Sequence, residues 1–549
     1  MEPGAAEFDV VVAGSGAAGL TAALTAAHLG LSVLVIEKAG SFGGSTARSG
    51  GGIWAPGNEV LRAARVADTP EQARAYLAYV AEGVPAARRE ALLEHGPDML
   101  ALVLAKTPLR LAWVPGYADY YPEAPGGLAA GRSIEPVPFD GRKVLGEELD
   151  RLARPYLPSP VAITQAEYRW LSLGRHPRGI RAGLRVAGRA ARARLLGQRM
   201  LSLGQALAAG LRAGLMTAGV PVWLDTPLAG LEVEEGRVTG VRVTRGEPAL
   251  IRARRGVLIA TGGFERDEQM RRRYQRAPVG TEWTTGAAGN TGDGIRAGLD
   301  LGADTGLMDD AWWGPSIPLP GGPYFCLAER SLPGCILVNG AGQRFVNESA
   351  PYVDAVHAMY DGNTPENPHI PAWLVFDQRY RDRYVFAGLP PGRPLPRRWS
   401  AAGATVRADD LAGLARAAGV DADGLAKTVA RFNEFAAAGR DEDFGRGDSA
   451  YDRYYGDPRL ANPNLAPLAR PPFHAVKIVP GDLGTKGGLR TDERARVLRP
   501  DGTVIEGLFA AGNASAAVMG HSYAGAGATI GPAMTFGYIA ARTMAADGL

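Results

Sequence analysis

The sequence has little cysteine and no long apolar run, and both shortages exclude classes of protein. Cys326 and Cys335 are the only cysteines in the 549 residues, too few for a disulfide framework. No group of cysteine and histidine has the spacing of a metal site, so we expect no metal. No apolar run approaches the roughly 18 residues of a membrane span, and the acidic start MEPGAAEFD lacks the basic residues of a signal peptide. We predict a protein of a reducing cytoplasm.

Charge of one sign is also scarce. The formal net charge is +3, with 60 basic and 57 acidic residues, so the composition gives no support to a nucleic-acid partner. The 74 glycines are spread over the whole chain, which argues against a disordered tail and a collagen-like repeat. The length and a hydrophobic fraction of 46% predict a globular protein with a large core and two domains.

The stretch FDVVVAGSGAAGLTAALTAAHLGLSVLVIEK has the pattern of one βαβ unit. We expect a strand over residues 10–13, a glycine turn, an Ala/Leu-rich helix and a second strand over residues 32–36. The motif Gly14-x-Gly16-x-x-Gly19 joins the first strand to the helix, whose N-terminus offers N–H groups to a pyrophosphate. Glu37, at the end of the second strand, suits a ribose hydroxyl. This order of elements predicts a Rossmann-like dinucleotide-binding domain.

Three further segments point to FAD. They are FGGSTARSGGG after Glu37, VLIATGGF in mid-chain and EGLFAAGNAS near the end. Together with the first motif they resemble the FAD-binding flavoproteins of the fumarate reductase and succinate dehydrogenase superfamily, in which these segments wrap one FAD. No second GxGxxG follows a convincing strand. We therefore expect no built-in nicotinamide site and an electron acceptor from outside the chain.

The resemblance implies an FAD site spread along the chain. Its expected members are Gly14, Ser15, Gly16, Ala17, Ala18, Gly19, Glu37, Lys38, Gly43, Gly44, Ser45, Thr46, Ser49, Gly50, Gly51, Ala260, Thr261, Gly262, Asp293, Gly512, Asn513, Gly527, Ala528, Thr529 and Ile530. Residues 41–52 contain no histidine or cysteine to attach the flavin, so we expect FAD to bind noncovalently.

The same resemblance implies an α/β fold with a discontinuous FAD-binding domain. We expect this Rossmann-like domain over residues 1–312 and 480–549, because its motifs occur at both ends of the chain. An inserted α+β substrate-capping domain is expected over residues 313–479. Residues 533–544 are good helix formers, and Pro532 suits a first helical turn, so a helix should follow the glycine-rich stretch 525–531.

Four more motifs narrow the family. YADYYPEAPGGLAAGRSIEP, RFVNESAPY, DLGTKGGL and YAGAGATIGPAMTFGY resemble the 3-ketosteroid Δ1-dehydrogenases. Ala524 stands where that family often has proline. The resemblance implies a 3-ketosteroid substrate, which is desaturated between C1 and C2, and electrons that pass from FAD to an external acceptor such as a quinone.

Such a reaction requires removal of a proton from C2, stabilisation of charge on the C3 oxygen and transfer of a hydride from C1 to flavin N5. Tyrosine suits an apolar substrate, since it carries a hydroxyl on a ring that packs against hydrocarbon. The family resemblance gives ketone binding to the Tyr523 hydroxyl and the Gly527 N–H, which form an oxyanion hole. It makes Tyr352 the base and Tyr120 its hydrogen-bonding partner, a role that Tyr121 could exchange with Tyr120.

Other functions remain open at this point. The rival enzymes are a 3-ketosteroid Δ4-(5α)-dehydrogenase and a fumarate-reductase-like enoate reductase. The dicarboxylate enzymes of the superfamily use an active-site histidine and arginines, and this chain reads PGDLGTKGGL where such a histidine might stand. A rival of another class is a flavin-binding membrane-surface protein without turnover.

A basic segment at about residues 165–204 lies outside the common pattern. It is predicted to be helical, because its arginines recur at three- and four-residue spacing at positions Arg175, Arg178, Arg181, Arg185, Arg189 and Arg192. One interpretation is a solvated helical face. The other is peripheral contact with an anionic membrane surface, at the inner face of the cell membrane, with Ile180, Leu184, Leu195 and Leu196 on another face of the helix.

Overall fold

The computed structural model describes residues 6–156, 161–245 and 247–546, so the first residues of the acidic start lie outside it. The strands of this part are β1 Ala6–Ala13, β2 Val33–Ile36, β3 Ile53–Trp54, β4 Leu111–Trp113, β5 Ser133–Pro136, β6 Phe139–Asp140, β7 Met200–Leu201, β8 Val222–Trp223, β9 Leu228–Glu234, β10 Arg237–Arg245, β11 Glu247–Ile259, β12 Thr305–Gly306, β13 Ala311–Ile317, β14 Tyr324–Phe325, β15 Cys335–Val338, β16 Ala372–Asp377, β17 Thr405–Ala408, β18 Phe473–Thr485, β19 Gly488–Leu489, β20 Arg496–Leu498 and β21 Val504–Ala510.

The α-helices of the same part are α1 Ala17–His28, α2 Gly44–Arg48, α3 Glu59–Ala63, α4 Pro70–Val80, α5 Ala86–Lys106, α6 Gly141–Leu145, α7 Gln165–Ser172, α8 Pro177–Leu195, α9 Leu203–Thr217, α10 Glu268–Tyr274, α11 Asp293–Leu299, α12 Tyr352–Gly362, α13 Gln378–Arg383, α14 Arg397–Ala401, α15 Leu411–Ala418, α16 Ala422–Ala438, α17 Ala450–Tyr454 and α18 Ile530–Ala546. The predicted βαβ unit is β1, α1 and β2, and the predicted C-terminal helix is α18, which begins three residues earlier than expected.

The main sheet has the strand order β20-β21-β11-β1-β2-β8, with the β9–β10 hairpin paired to β11. The five successive strands β21, β11, β1, β2 and β8 are parallel to one another. In β1 and β2 the apolar runs Val10–Ala13 and Val33–Ile36 are buried on both faces. Helices α1, α5, α9 and α18 pack on one face, and side chains of β10, α10 and α11 pack on the other. This arrangement confirms the predicted α/β class with a Rossmann-like core.

The carboxyl ends of the parallel strands meet at one edge of the main sheet. Ala13 of β1 pairs with Ile259 of β11 and Ile36 of β2, and Ile259 pairs with Ala510 of β21. The segments that follow these residues are the glycine motif, Glu37, the mid-chain ATGG and the late AAG. Open α/β sheets bind ligands at this edge. The topology therefore brings together segments from the start, the middle and the end of the chain.

A second sheet lies in the middle of the chain. Its order is β14-β13-β18-β16-β15, with β17 also paired to β18, and all its pairings are antiparallel. Apolar side chains of α15 and α16 pack with β15 and β16 in one core. The sheet uses strands between Ala311 and Thr485, while the proposed domain limits at 313 and 479 remain a prediction.

The basic segment forms the helix pair α7 and α8. A capping box between Thr164 and Glu167 begins α7, and His176 with Pro177 begins α8. Arg189 points back toward α7 and pairs with Glu167 at 2.6 Å. Within the described residues, no helix is both long and apolar enough to cross a membrane.

Candidate active site

One large cavity extends from the carboxyl-terminal edge of the main sheet to residues near the second sheet. Its volume is about 1730 Å³. A pocket for one small ligand usually has about 300–1,000 Å³. The cavity therefore has room for a dinucleotide and a second ligand.

Most residues predicted to bind FAD line this cavity. Gly19, Gly43 and Ala528 are not part of the described wall and lie behind it. A Cβ at Gly19 would lie 2.0 Å from the Gly14 carbonyl oxygen, so Gly19 serves the packing of α1 on β1. Ala528 lies in the loop that precedes α18 and is fully buried.

The cavity wall at the start of α1 fits the pyrophosphate of a dinucleotide. Gly14 has a φ of +109°, and a Cβ there would lie 2.2 Å from the Ala260 carbonyl oxygen, so only glycine fits. The N-cap residue of α1, Gly16, has no side chain to cap the helix. The next N–H groups, of Ala18 and Gly19, have no acceptor in the described part of the chain, and with the partial positive charge of the helix end they are available to an anion. The Thr46 hydroxyl accepts a hydrogen bond from Ala17 N at 2.9 Å and holds α2 beside this site.

The acidic residue after β2 is held in place by the glycine motif. Glu37 Oε2 accepts from Ser15 N at 3.1 Å and from Ser15 Oγ at 2.6 Å, and Oε1 accepts from Ala39 N at 2.9 Å. A carboxylate has about four acceptor positions. Glu37 uses three of them within the protein, so one is left for a ligand. The contact with a ribose hydroxyl remains a proposal.

Two other predicted contacts also have protein partners. Asp293 pairs with Lys38 at 2.5 Å and with Arg296 at 2.8 Å. The Ser45 hydroxyl accepts from Ala287 N and from Asn290 Nδ2, each at 3.0 Å. These contacts join the segments after β2 and β11 and give the cavity a defined polar wall.

Three tyrosines from distant parts of the sequence meet in this cavity, and we call them the tyrosine cluster. Tyr120 lies in the loop before β5, Tyr352 is the first residue of α12, and Tyr523 lies in the loop before α18. The Tyr120 hydroxyl donates to the Tyr352 hydroxyl at 3.0 Å. The ring centroid of Tyr523 lies 5.1 Å from that of Tyr120 and 5.3 Å from that of Tyr352. The structure thus brings the predicted catalytic tyrosines together.

Tyr120 and its neighbour Tyr121 are distinguished by their partners. The Tyr121 hydroxyl donates to Asp354 Oδ1 at 2.8 Å, whereas Tyr120 contacts Tyr352. Of the two neighbouring tyrosines, Tyr120 is therefore the one whose hydroxyl contacts Tyr352, and its role as the partner of Tyr352 stays a prediction.

Burial keeps the tyrosine cluster neutral. Removal from water raises the pKa of Tyr120 and of Tyr352 well above its usual range. Burial also raises the pKa of Tyr523, and its hydroxyl shares a hydrogen bond of 2.8 Å with Thr529 Oγ1. At neutral pH all three side chains are phenols that can donate a hydrogen bond.

Gly527 lies in the wall of the same cavity with its amide free. It has a φ of +95°, and a Cβ there would lie 2.5 Å from backbone atoms of Gly52 and Ile53, so glycine is required. Its carbonyl accepts from Trp54 N at 3.1 Å, and its N–H has no acceptor in the described part of the chain. The amide is therefore available to a ligand.

The loops that carry these groups are tied to each other through main-chain carbonyls. Ala524 O accepts from Tyr120 N at 3.0 Å and from the Tyr76 hydroxyl at 2.6 Å. Ala526 O accepts from Ser133 Oγ at 2.7 Å. The position that often carries proline in the family thus contributes through its carbonyl, which alanine supplies equally well.

Several cavity residues were not found from the sequence. They are Tyr117, Tyr168, Leu171, Phe325, Glu329 and Tyr455. Phe325 packs edge-on against Tyr352, with ring centroids 5.1 Å apart, and Tyr168 and Leu171 come from the basic insert. Only Tyr117 could have been identified from the sequence as a candidate site residue, because it lies in the same motif as Tyr120. The others have no local pattern that distinguishes them from core residues.

Comparison with known proteins identifies the class of protein. A family model described as FAD binding domain matches residues 9–530. The chain therefore belongs to this family of FAD-binding proteins, and FAD is its cofactor.

Closer relatives give the particular family. A 3-oxosteroid 1-dehydrogenase of Mycobacterium tuberculosis is 58% identical over 554 residues, which cover 98% of each chain. Another, of Mycolicibacterium smegmatis, is 57% identical over 98% of this chain and 97% of its own. The crystal structure of 3-ketosteroid delta1-dehydrogenase from Sterolibacterium denitrificans, in complex with 1,4-androstadiene-3,17-dione, matches with a TM-score of 0.93 at 42% identity, over 98% of this chain and 100% of that one. The chain belongs to the 3-oxosteroid 1-dehydrogenases and is an FAD-dependent oxidoreductase, as the motifs predicted.

We expect all of the FAD to be released when the protein is denatured. The described residues that line the cavity include no histidine and no cysteine, so these two side chains are not available for a covalent link to the flavin. The measurement is the flavin absorbance of the supernatant and of the washed pellet after acid precipitation. Flavin that stays with the pellet would contradict noncovalent binding.

Proposed function

We propose that this enzyme introduces the C1–C2 double bond into a 3-ketosteroid. The observation that carries the proposal is the Tyr120–Tyr352 hydroxyl pair beside Tyr523 and the free Gly527 amide, all in one cavity with the FAD segments. A base and two hydrogen-bond donors are the groups that an α-proton abstraction next to a ketone requires. The names of the relatives support the same substrate class.

In this proposal the C3 oxygen of the steroid accepts hydrogen bonds from the Tyr523 hydroxyl and the Gly527 N–H. Both donors are uncharged, and Tyr523 is buried while Gly527 is half-buried, so they suit an apolar ligand better than a cation would. Their bonds strengthen as negative charge develops on the oxygen, which makes the C2 hydrogens more acidic.

The Tyr352 oxygen is the proposed acceptor of the C2 proton. A phenol with a raised pKa is largely protonated at neutral pH, so only its small ionised fraction is reactive. The hydrogen bond from Tyr120 opposes the effect of burial, because it stabilises negative charge on the Tyr352 oxygen. When bound, FAD supplies the hydride acceptor for C1, and we propose a quinone as the external oxidant.

The proposal is tested by adding a panel of ketosteroids to the enzyme without oxygen. We expect 3-ketosteroids with a saturated C1–C2 bond to bleach the flavin and to yield 1-ene-3-one products, identified by mass spectrometry and NMR. A steroid that lacks the C3 ketone is the control and should leave the flavin oxidised. A product with a new double bond at C4 would favour the Δ4-(5α)-dehydrogenase. Reduction of an enoate by reduced enzyme would favour the fumarate-reductase-like activity, and no bleaching would favour the protein without turnover.

We also propose that α8 binds an anionic membrane surface. Ile180, Leu184, Ala187, Ala191 and Leu195 lie on one exposed side of α8 at three- and four-residue spacing, with Leu184 68% and Leu195 87% exposed. The opposite side, with Ala182 and Val186, is buried. An apolar stripe beside exposed arginines is the pattern of a helix that lies in a lipid interface.

The arginines of α8 do not all contribute to this surface. Arg181, Arg185 and Arg192 are exposed, whereas Arg189 pairs with Glu167 and donates to the Ala162 carbonyl. Arg189 therefore holds α8 to α7. A membrane contact here would bring the cavity residues of α7 close to the source of a lipophilic substrate and of a quinone.

We expect the triple variant Arg181→Glu, Arg185→Glu, Arg192→Glu to bind anionic liposomes much less than the unmodified enzyme. Each arginine near an anionic surface contributes about 1 kcal/mol, and binding of the unmodified enzyme should fall as salt rises. Liposome sedimentation measures both effects. The matched control is Arg416→Glu, Lys427→Glu, Arg440→Glu, which changes the same charge at other exposed positions. Equal binding by the two variants would leave α8 as a solvated helix.

A further inference from the structure

We infer that Lys486 is a positioning residue for the ketone site, because it holds the main chain of Tyr523. The inference rests on the proposed role of Tyr523. Lys486 lies between β18 and β19 in the motif DLGTKGGL, is fully buried, and does not line the described cavity wall. It would therefore act through Tyr523 and not on the substrate.

The contacts of the ammonium group are specific. Lys486 Nζ donates to the Ser522 carbonyl at 3.0 Å and to Asp310 Oδ2 at 3.0 Å. The Ser522 carbonyl belongs to the peptide unit that contains the Tyr523 nitrogen, so this bond fixes the orientation of that unit. A hydrogen bond from a charged donor is about twice as strong as one between neutral groups.

Trp312 connects the same ammonium group to the Tyr523 ring. Lys486 Nζ lies 5.1 Å from the Trp312 ring centroid, and Trp312 packs edge-on against Tyr523 with centroids 4.7 Å apart. The Trp312 Nε1 donates to Asn513 Oδ1 at 3.1 Å, which fixes the indole. Lys486 thus contacts the Tyr523 segment through the backbone and through an aromatic neighbour.

The far side of Lys486 is anchored by Asp310. This carboxylate also binds His357 Nε2 at 3.0 Å and lies 3.3 Å from His521 Nδ1. Burial alone would raise the pKa of Asp310, but Lys486 and the two imidazoles lower it well below its usual range. The anchor therefore stays ionised, and the buried ammonium remains paired at neutral pH.

The test compares ligands with and without the C3 oxygen. The ligands are 1,4-androstadiene-3,17-dione, whose C1–C2 bond is already unsaturated, and its 3-deoxy counterpart, titrated against the flavin absorbance of the holoenzyme. We expect Lys486→Met to raise the dissociation constant of the 3-oxo ligand by up to about fivefold, which is the most that loss of the single hydrogen bond from Tyr523 can cost. The 3-deoxy ligand should bind as it does to the unmodified enzyme.

A double-mutant cycle gives the second readout. In a Tyr523→Phe background, Lys486→Met should have almost no further effect on binding of the 3-oxo ligand, because residues that act through one contact are not additive. Asp310→Asn removes the charged partner of Lys486 and serves as a second variant if Lys486→Met does not fold. It should also weaken binding of the 3-oxo ligand but not of the 3-deoxy ligand. Arg212→Met is the control. Arg212 is a buried cation of α9 that pairs with Glu148 at 3.0 Å, and its replacement should leave the preference for the 3-oxo ligand unchanged.

Equal loss for both ligands, or full additivity with Tyr523→Phe, would overturn the inference and leave Lys486 as a structural residue. A Lys486→Met enzyme that keeps the full preference for the 3-oxo ligand would also overturn it, with the proposed function intact. If the unmodified enzyme shows no preference for the 3-oxo ligand, the proposed ketone site is wrong and the inference falls with it.

Discussion

Replacing Tyr352 by phenylalanine is expected to stop flavin reduction by substrate almost completely while the ketosteroid still binds. The substitution removes the proposed proton acceptor and leaves the Tyr523 hydroxyl and the Gly527 amide in place. A positioned general base contributes about 10²- to 10⁴-fold to a rate. Stopped-flow measurement of flavin reduction gives the rate, and titration with 1,4-androstadiene-3,17-dione gives the affinity. Exchange of the C2 hydrogens with deuterated solvent should vanish as well.

The pH dependence of the same step tests the protonation state of the base. Because burial raises the pKa of Tyr352 well above its usual range, its ionised fraction should grow about tenfold for each pH unit near neutrality. The reduction rate should therefore rise steeply with pH across the neutral range. The rate that remains in Tyr352→Phe should lose this steep rise.

Tyr121→Phe is the matched control for Tyr352→Phe. Tyr121 lies next to Tyr120, yet its hydroxyl binds Asp354 and not the Tyr120–Tyr352 pair. We expect this variant to keep most of its reduction rate. A Tyr352→Phe enzyme that keeps most of its own rate would show that another group is the base, and Tyr120 is then the first candidate.

Replacing Tyr523 by phenylalanine should weaken both binding and chemistry. Loss of one oxyanion-hole donor typically costs about 10²- to 10³-fold in turnover, or about 2.7–4 kcal/mol. Part of the loss should appear in the ground state, where a single hydrogen bond contributes about 1 kcal/mol. The reduction rate and the dissociation constant of the 3-oxo ligand measure the two contributions separately.

The control for Tyr523→Phe is Tyr360→Phe. Tyr360 is also buried, and its hydroxyl donates to the Pro278 carbonyl at 3.1 Å outside the cavity wall. This variant should lose stability without a change in the preference for a 3-oxo ligand. A harmless Tyr523→Phe would remove the proposed ketone-binding role, whereas Gly527 would remain as a donor.

The two predicted failures differ because the two hydroxyls have different tasks. Tyr352→Phe should separate binding from chemistry, since its oxygen is needed only when the C2 proton leaves. Tyr523→Phe should not separate them, since its bond exists before the reaction and strengthens during it. A variant pair that failed in the same way would argue against this division of roles.

The first βαβ unit could be predicted from the sequence because its interactions are local. Gly14, Gly16 and Gly19 lie within six residues, and the backbone geometry of a strand, a tight turn and a helix determines what each must be. The apolar runs of β1 and β2 similarly reflect their burial on both faces. The roles suggested for Tyr120, Tyr352 and Tyr523 came from the resemblance of their motifs, and the structure adds that these side chains meet.

The orientation of the basic insert could not be predicted in the same way. Arginine spacing shows that α8 has a cationic side, but not which residues face the protein. The structure turns Ala182 and Val186 inward, leaves Leu184 and Leu195 exposed, and uses Arg189 as a partner for Glu167. Which side of α8 faces the protein depends on how α8 packs on α7. The residue pattern of α8 alone does not specify this packing.

The sequence by itself determined the Rossmann-like dinucleotide-binding unit, because short motifs are specified by neighbours along the chain. The resemblance of its motifs to a known family implied FAD and the roles of the candidate residues. Only the tertiary structure decided which side chains meet. The 3.0 Å contact between Tyr120 and Tyr352, and the bond from Lys486 to the Ser522 carbonyl, join segments separated by up to 232 residues. Such distances are set by the packing of the two sheets and their helices around one cavity, and this packing depends on the whole core.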